Sequence, residues 1–280
     1  MRKVEVRLIT EAIKHMAIES NVELGKDVLD AFERFSKSEK SETGRATLDQ
    51  FVKNAEIARR DRMPLCQDTG FAVIFLELGQ EVSLVGGGLE EAVNEGVRQG
   101  YAEGYLRKSI VKDPLRRVNT GDNTPAVIHT RIVPGDRVNI TFAAKGGGSE
   151  NMSGIAMLRP ADGVEGVKKF VIERVDKAGP NPCPPTIVGV GIGGTFEVAA
   201  LLSKKALLRP LGERHPDPFY AKLEEDLLYD INRLGIGPMG LGGSTTSLDV
   251  HVEYYPCHIA SLPVAVNIQC HSSRHLHAEI

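Results

Sequence analysis

Four cysteines stand in the chain, and three share a setting that presents a thiol rather than buries it. Cys66 lies in "MPLCQDTG", close after a proline and directly before Gln67 and Asp68. Cys183 lies in "NPCPPT", where prolines on both sides restrict the backbone. Cys270 lies in "IQCHSSRH", ahead of polar and ionisable residues. Cys257, in "YYPCHIASLPV", leads into an apolar run and reads as a non-ligand. No pair has the C-x-x-C spacing of a structural zinc site. Thiolates held at element ends can bind an iron–sulfur cluster, which ordinarily takes four cysteines. Three would leave one iron with an open position, the mark of a catalytic rather than a structural metal. Such an iron is a Lewis acid toward a hydroxyl or carboxylate. The competing reading is that these thiols are small buried hydrophobes.

The rest of the composition is that of an ordinary globular protein. The 280 residues are 41% hydrophobic and 25% charged, with a net charge of −3. That balance carries no basic footprint for nucleic acid or an anionic membrane. The uncharged stretch from Tyr254 to Ser273 is broken by prolines, histidines and Asn267, so it is a poor membrane span. The N-terminus is soon interrupted by Glu5, Arg7 and Glu11 and reads as an amphipathic helix, not a signal peptide. A reducing, cytoplasmic setting is expected, and the cysteines are not read as disulfides.

The elements that must carry these residues follow from periodicity. Apolar spacing of three and four predicts helices over 4–20, 26–36 and 46–60, then 90–106, 166–178, 196–208 and 219–234. Strands are expected at "GFAVIFLEL", "TIVGVGIGG", "LDVHVEYY" and "LPVAVNIQ". The alternation from Pro125 to Ala144, broken by Pro-Gly-Asp, predicts a hairpin, with "KGGGS" as a flexible turn after it. The fold class is α/β with α+β character. A helical N-terminal part is followed by mixed sheets with flanking helices, and the reactive residues sit on loops at element ends. A connection of about fifteen residues from Val111 to Pro125 has little periodicity, which in compact domains often marks function.

One motif points elsewhere. "GVGIGG", Gly189 to Gly194, fits the G-x-G-x-x-G of dinucleotide-binding folds and lies between a strand and a helix. The acidic residue near the required distance, Glu213, has no strand to carry it. A tight strand-to-helix turn and an anion site at a helix N-terminus are the alternatives.

Eight segments taken in order, "PLCQDTG", "LRKSIVKDPL", "NTGDNTPAVIH", "KGGGSEN", "NPCPPTIVGVGIGGT", "GGSTTSLDVHV", "CHIASLPVAV" and "QCHSSRH", resemble the class I, iron–sulfur-dependent fumarate hydratase family, which includes L-tartrate dehydratase. The resemblance runs from about Arg62 to His275. It implies a hydro-lyase with a [4Fe-4S] cluster held by Cys66, Cys183 and Cys270, with the fourth iron bound by substrate. It implies one cluster-binding catalytic domain over 1–280, corresponding to an α subunit. The family's β domain has no counterpart here, so a separate β subunit is expected, with the α chains homodimeric or in an α2β2 heteromer. Reversible hydration of fumarate to L-malate, a tricarboxylic acid cycle step, is the leading activity, and L-tartrate dehydration is the alternative with the same chemistry. A Rossmann-like NAD-dependent oxidoreductase subunit and a non-catalytic subunit are the rivals from other classes.

The resemblance also distributes roles. Asp68 is placed to act as acid or base toward the substrate hydroxyl, against the alternative of a turn-capping carboxylate. Gln67 would hydrogen-bond the dicarboxylate and Arg107 would clamp it, against readings as a solvated turn residue and a helix-end arginine. Gly147 and Gly148 would present backbone N–H groups to a carboxylate. His258 is a candidate for proton transfer or substrate orientation, against a structural hydrogen-bonding role. His251 reads as core, while His271, Arg274 and His275 would tune the cluster from behind its ligands. Asn119, Thr120 and Asp122 would shape the pocket floor. Lys145 reads as a helper or a solvated charge, and Thr245 and Thr246 as a polar turn.

Overall fold

The computed structural model describes all residues, Met1–Ile280. Strand β1 (Arg2–Glu5) is followed by helices α1 (Val6–Val22), α2 (Lys26–Ser38) and α3 (Glu42–Asp61). Strands β2 (Phe71–Gly79) and β3 (Val82–Val85) precede α4 (Leu89–Glu103). Next come β4 (Val127–Val133), β5 (Val138–Lys145), the single turn α5 (Gly147–Glu150) and β6 (Gly154–Leu158). Helix α6 (Gly163–Ala178), β7 (Thr186–Gly193), α7 (Phe196–Ala206) and α8 (Pro218–Asn232) follow. The last strands are β8 (Ser247–Tyr255), β9 (Leu262–Gln269) and β10 (His275–Glu279). The architecture is mixed α/β, and the predicted helices lie within a few residues of their expected limits. The sequence reading lacks β1, β3, β6 and β10, which have four or five residues each and are too short for a period to register. No helix is long and apolar enough to cross a membrane.

The chain divides into two compact units. Met1–Leu24, Ala55–Gly147 and Arg274–Ile280 form the first, and Gly25–Asn54 with Gly148–Ser273 form the second.

In the first unit a four-stranded sheet has the order β10-β5-β2-β4. Alternate residues of β2 and β5, among them Ala72, Ile74, Leu76, Ile140 and Phe142, meet Ile9 and Ile13 of α1 and Val93 and Val97 of α4 in one core. The expected hairpin is corrected here. β4 pairs with β2 in parallel and β5 pairs with β2 antiparallel, so β2 lies between them. Their short connection passes over the end of β2. The N–H groups of Gly79, Gln80 and Glu81 donate to the carbonyls of Arg137, Val133 and Gly135 at 2.8–3.0 Å. A Cβ on Gly79 would stand 2.4 Å from the Gly135 carbonyl oxygen, so only glycine fits under this crossing. Alternation and turn residues are the same for strands that pair and strands that flank a third, which is why the sequence misled.

In the second unit the sheet has the order β6-β9-β7-β8, with β7 parallel to β8 and antiparallel to β9. Every residue of β7 is buried. Val188, Val190 and Ile192 face the cluster formed by α6 and α8. Gly189 and Gly191 face α7, where a Cβ would fall 2.0 Å from the Ser203 carbonyl oxygen and 2.1 Å from that of Ala199. The glycines of "GVGIGG" therefore let α7 lie directly on the strand, the close-packing alternative to a nucleotide cradle.

Candidate active site

In the first unit, the turn that follows α3 is pinned on both sides. Leu65 is buried, and its N–H donates to the Asn21 carbonyl at 2.8 Å. Cys66 and Asp68 are half-buried, and Gln67 is exposed. The Asp68 carboxylate accepts from the N–H of Gly70 at 3.0 Å through Oδ1 and from the N–H of Gly147 at 2.9 Å through Oδ2. Asp68 thus caps its turn, a contact compatible with both of its readings. A carboxylate has about four acceptor positions, so two bonds fix its orientation and leave capacity.

The carbonyls of the same turn are held from below by buried side chains. Arg274 donates to Asp68 O at 2.6 Å. The Tyr101 hydroxyl lies 2.9 Å from Thr69 O and 3.1 Å from Gly70 O. Asn123 Nδ2 donates to Gly70 O at 3.3 Å, and its Oδ1 accepts from Ser109 N at 2.7 Å. Burial keeps the Tyr101 hydroxyl protonated far above the ordinary tyrosine range, as suits a permanent donor. Thr69 Oγ1 donates to the Arg107 carbonyl at 3.1 Å, which ties the exposed Arg107 to this turn. The first unit therefore brings Cys66, Gln67, Asp68, Arg107 and Gly147 to one place. The Gly147 N–H, expected to face a substrate carboxylate, is engaged by Asp68.

Nearby, the long connection is ordered by its own polar residues. Asn119 donates to Lys108 O at 2.9 Å and accepts from Gly121 N at 2.7 Å. Burial opposes ionisation of Asp122, but bonds from the Thr124 hydroxyl and N–H and from Arg98 outweigh it and hold its carboxyl at about 2.

In the second unit, antiparallel pairing of β7 with β9 sets Ile187 opposite Gln269. The Cys183 loop runs into β7 and Cys270 follows β9, so both thiols belong to the same end of the sheet. His271 joins them. Its N–H and Nδ1 lie 3.3 and 3.0 Å from the Cys183 carbonyl oxygen. An acceptor opposite Nδ1 fixes the proton on that nitrogen. The ring stacks on Phe51 with centroids 3.9 Å apart. Cys183 has φ 57, a left-handed conformation costing an L-residue roughly 1–2 kcal/mol. Gly148 lies beside this loop, the position of its missing Cβ being 3.6 Å from Asn181 O.

The remaining candidates divide. His258 is exposed in the β8–β9 connection, where its Nδ1 accepts from Ala260 N at 3.2 Å. That connection is at the opposite end of the sheet from Cys183 and Cys270, and the eight residues of β7 between the ends span about 25 Å. Within its own unit His258 is not brought to the thiols. Cys257 shares the connection and is exposed, with Sγ 3.3 Å from Ser261 O. His251 is fully buried between Ala206 O, 3.1 Å from Nδ1, and Asp249, 3.4 Å from Nε2. Burial works against the charge on Asp249, but His251, the Gly212 N–H and Arg214 prevail and lower its pKa. Thr245 and Thr246, read as a polar turn, are buried. Sequence reasoning missed Asn21 and Tyr101, which lie in no quoted motif, and Asn123, which lies in "NTGDNTPAVIH" but carries no assigned role; all three support the Asp68 turn from elements remote in sequence.

The donor chemistry fits an iron–sulfur group. Cys66, Cys183 and Cys270 are partly exposed, joined by no disulfide and placed outside helices and strands. Neither unit by itself gathers three His, Cys, Asp or Glu side chains at metal-binding spacing.

Comparison with known proteins gives a consistent answer. Residues 10–279 match the family described as "Fumarate hydratase (Fumerase)". A protein of Methanocaldococcus jannaschii named "Putative L(+)-tartrate dehydratase subunit alpha" is 45% identical over 273 residues, covering 95% of each chain. The "L(+)-tartrate dehydratase subunit alpha" of Escherichia coli K12 is 36% identical over 273 residues, 96% of this chain and 89% of that one. The Shigella sonnei protein of the same name is similar to the same extent. With coverage this complete and the ordered motifs in place, the chain belongs to the hydro-lyase family of class I fumarate hydratases and tartrate dehydratase α subunits.

Proposed function

We propose that this chain is the α subunit of an iron–sulfur hydro-lyase acting on a small dicarboxylate, with L-tartrate ahead of fumarate as its substrate. The names of its relatives favour tartrate over the fumarate expected from the sequence alone. The observation that carries the reading is the placement of Asp68, two residues from Cys66, in a turn whose carboxylate is held together with the carbonyls of Asp68, Thr69 and Gly70.

Cys66, Cys183 and Cys270 are the proposed ligands of a [4Fe-4S] cluster, which supplies Lewis-acid chemistry when bound. The chain's own residues do the rest. Loss of water from a 2-hydroxy acid breaks a C–O bond and the C–H bond on the neighbouring carbon. Asp68, oriented by two N–H donors, gives a proton to the departing hydroxyl so that it leaves as water, and the proton of the broken C–H bond passes to a base that the proposed β subunit would supply. Arg107 and Gln67 bind a substrate carboxylate, the first as a guanidinium fork. Gly148 offers the close main-chain approach that Gly147, engaged by Asp68, offers only in competition. His258, at the far end of its own sheet from Cys183 and Cys270, is proposed as an orienting group only where a second copy of the chain supplies it. Residues 1–280 act together as one catalytic α chain, and a β subunit completes the enzyme.

The test is iron and acid-labile sulfide on the anaerobically purified chain, then dehydration of L-tartrate and hydration of fumarate with a β subunit added. About four of each per chain fits the proposed cluster, and turnover of tartrate faster than fumarate supports the substrate choice. Absence of iron after anaerobic reconstitution removes the reading.

A further inference from the structure

The Asp68 turn rests on a side chain that the reaction itself does not require. Arg274 is 2% exposed, and its guanidinium donates to Asp68 O at 2.6 Å and to Asn21 Oδ1 at 3.0 Å. Neither acceptor is charged. Burying a cation against neutral oxygens is costly, and an apolar side chain of similar size is often the more stable choice. An apolar residue could fill the space, but it could not hold a carbonyl in a fixed direction.

The surrounding contacts make this a closed frame. Asn21 is itself fixed in the last turn of α1, with Nδ2 donating to Ala17 O at 2.9 Å. Its carbonyl receives the Leu65 N–H at 2.8 Å, one residue before Cys66. The Arg274 carbonyl accepts from Ala144 N at 2.9 Å, which locks its backbone to β5. Two residues beyond the end of β5, Gly147 holds the Asp68 carboxylate. Gly146 lies where the two holds meet, a Cβ there falling 3.3 Å from Asp68 Oδ2 and 3.5 Å from Arg274 Nη2. Arg274 therefore grips Asp68 by its main chain while the strand it is locked to leads to the grip on its carboxylate. Both bonds leave Nη1, whose two N–H groups are held at a fixed angle in the guanidinium plane, whereas a lysine ammonium turns freely about its last bond.

We infer that Arg274 is a positioning residue for Asp68, setting the direction of the carboxylate through the Asp68 carbonyl and Asn21. This gives it a role in orienting the acid–base group, in place of the cluster tuning its position after Cys270 would imply. The inference rests on the assignment of Asp68 as the acid–base group.

The experiment compares Arg274→Lys, Asn21→Ala, Asp68→Asn and the Arg274→Lys/Asp68→Asn double variant in the enzyme assembled from α and β chains. It reads kcat, KM, thermal midpoint and visible absorbance per chain. Arg274→Lys is expected to keep wild-type absorbance and to lower kcat about 10- to 100-fold with KM changed less than about 2-fold. Asn21→Ala should lower kcat in the same sense by a smaller factor. In the Asp68→Asn background, Arg274→Lys should add less than about a 3-fold loss, because two residues acting as a unit are not additive. Equal losses in both backgrounds, a rise in KM at constant kcat, or loss of absorbance in step with activity would overturn the inference. Should Arg274→Lys fail to fold, Asn21→Ala decides, and unchanged kcat there counts against it. Full activity in Asp68→Asn overturns the assignment of Asp68 and this inference with it. An inactive Asp68→Asn beside a fully active Arg274→Lys overturns the inference alone.

Discussion

The backbone N–H of Gly147 donates to Oδ2 of Asp68 at 2.9 Å, across seventy-nine positions of sequence. Two motifs that look independent in the chain, "CQDTG" and the Lys145–Gly147 start of "KGGGS", are one arrangement in the first unit. The carboxylate gives that N–H an acceptor and the N–H fixes the carboxylate; a Cβ at 147 would stand 3.9 Å from Oδ2, so the bond itself does not require glycine there.

Asp68→Asn keeps the size but removes the charge and, having one acceptor oxygen, keeps only one of the contacts to the Gly70 and Gly147 N–H groups. It is expected to lower kcat by about 10²- to 10⁴-fold, the usual contribution of a placed acid or base. The visible spectrum should stay as in the wild type. Steady-state kinetics on L-tartrate and fumarate with a β subunit give the answer, and an active Asp68→Asn enzyme would mean another group moves the proton.

Substitution of each thiol separates ligands from bystanders. Cys66→Ser, Cys183→Ser and Cys270→Ser should each abolish the brown chromophore of the anaerobic chain. Cys257→Ser, changing an exposed thiol in the β8–β9 connection, should leave it intact. A chromophore surviving in Cys270→Ser would falsify the ligand set.

The glycines of β7 are predicted to be steric. Gly189→Ala puts a methyl 2.0 Å from the Ser203 carbonyl oxygen, so α7 must move off the strand. The expected cost is at or above the upper end of the roughly 1–3 kcal/mol of ordinary overpacking. Gly88→Ala, where the nearest atom is 3.9 Å away, should change stability by less than about 1 kcal/mol. Urea unfolding of the two variants compares them directly, and similar midpoints would refute the packing account.

Acid should weaken the fold through particular carboxylates. Asp122 is held at about 2, and Glu39 and Asp249 are lowered as well. A carboxyl lowered in the folded state stabilises above its unfolded value, near ~3.9 for aspartate, and that stabilisation is lost as pH falls toward the folded value. For Asp122 the window runs from about pH 4 down to about pH 2. Asp122→Asn should flatten this part of the stability profile, read by denaturant titration at successive pH values. An unchanged acid slope would show that Asp122 contributes nothing to it.

Local patterning carried much of this protein in plain view. Helices such as α2 and α6 show apolar residues at a period no other structure satisfies, and the prolines and glycine around Cys66 and Cys183 mark turns by their own torsional limits. The thiols and Asp68 were legible because their neighbours are wrong for a core. Strand partnership was not legible. Whether β4 lies beside β5 or beyond β2 depends on which edge each strand meets, and both arrangements use the same alternation. The placement of His258 turned on that same kind of fact, since the direction of β8 relative to β9 carries its loop to the far end of the sheet. The support beneath Asp68 was hidden for a related reason. Tyr101, Asn123 and Arg274 hold main-chain oxygens of the turn, and Asn21 acts through its own carbonyl and its bond to Arg274; a backbone carbonyl leaves no mark in a sequence.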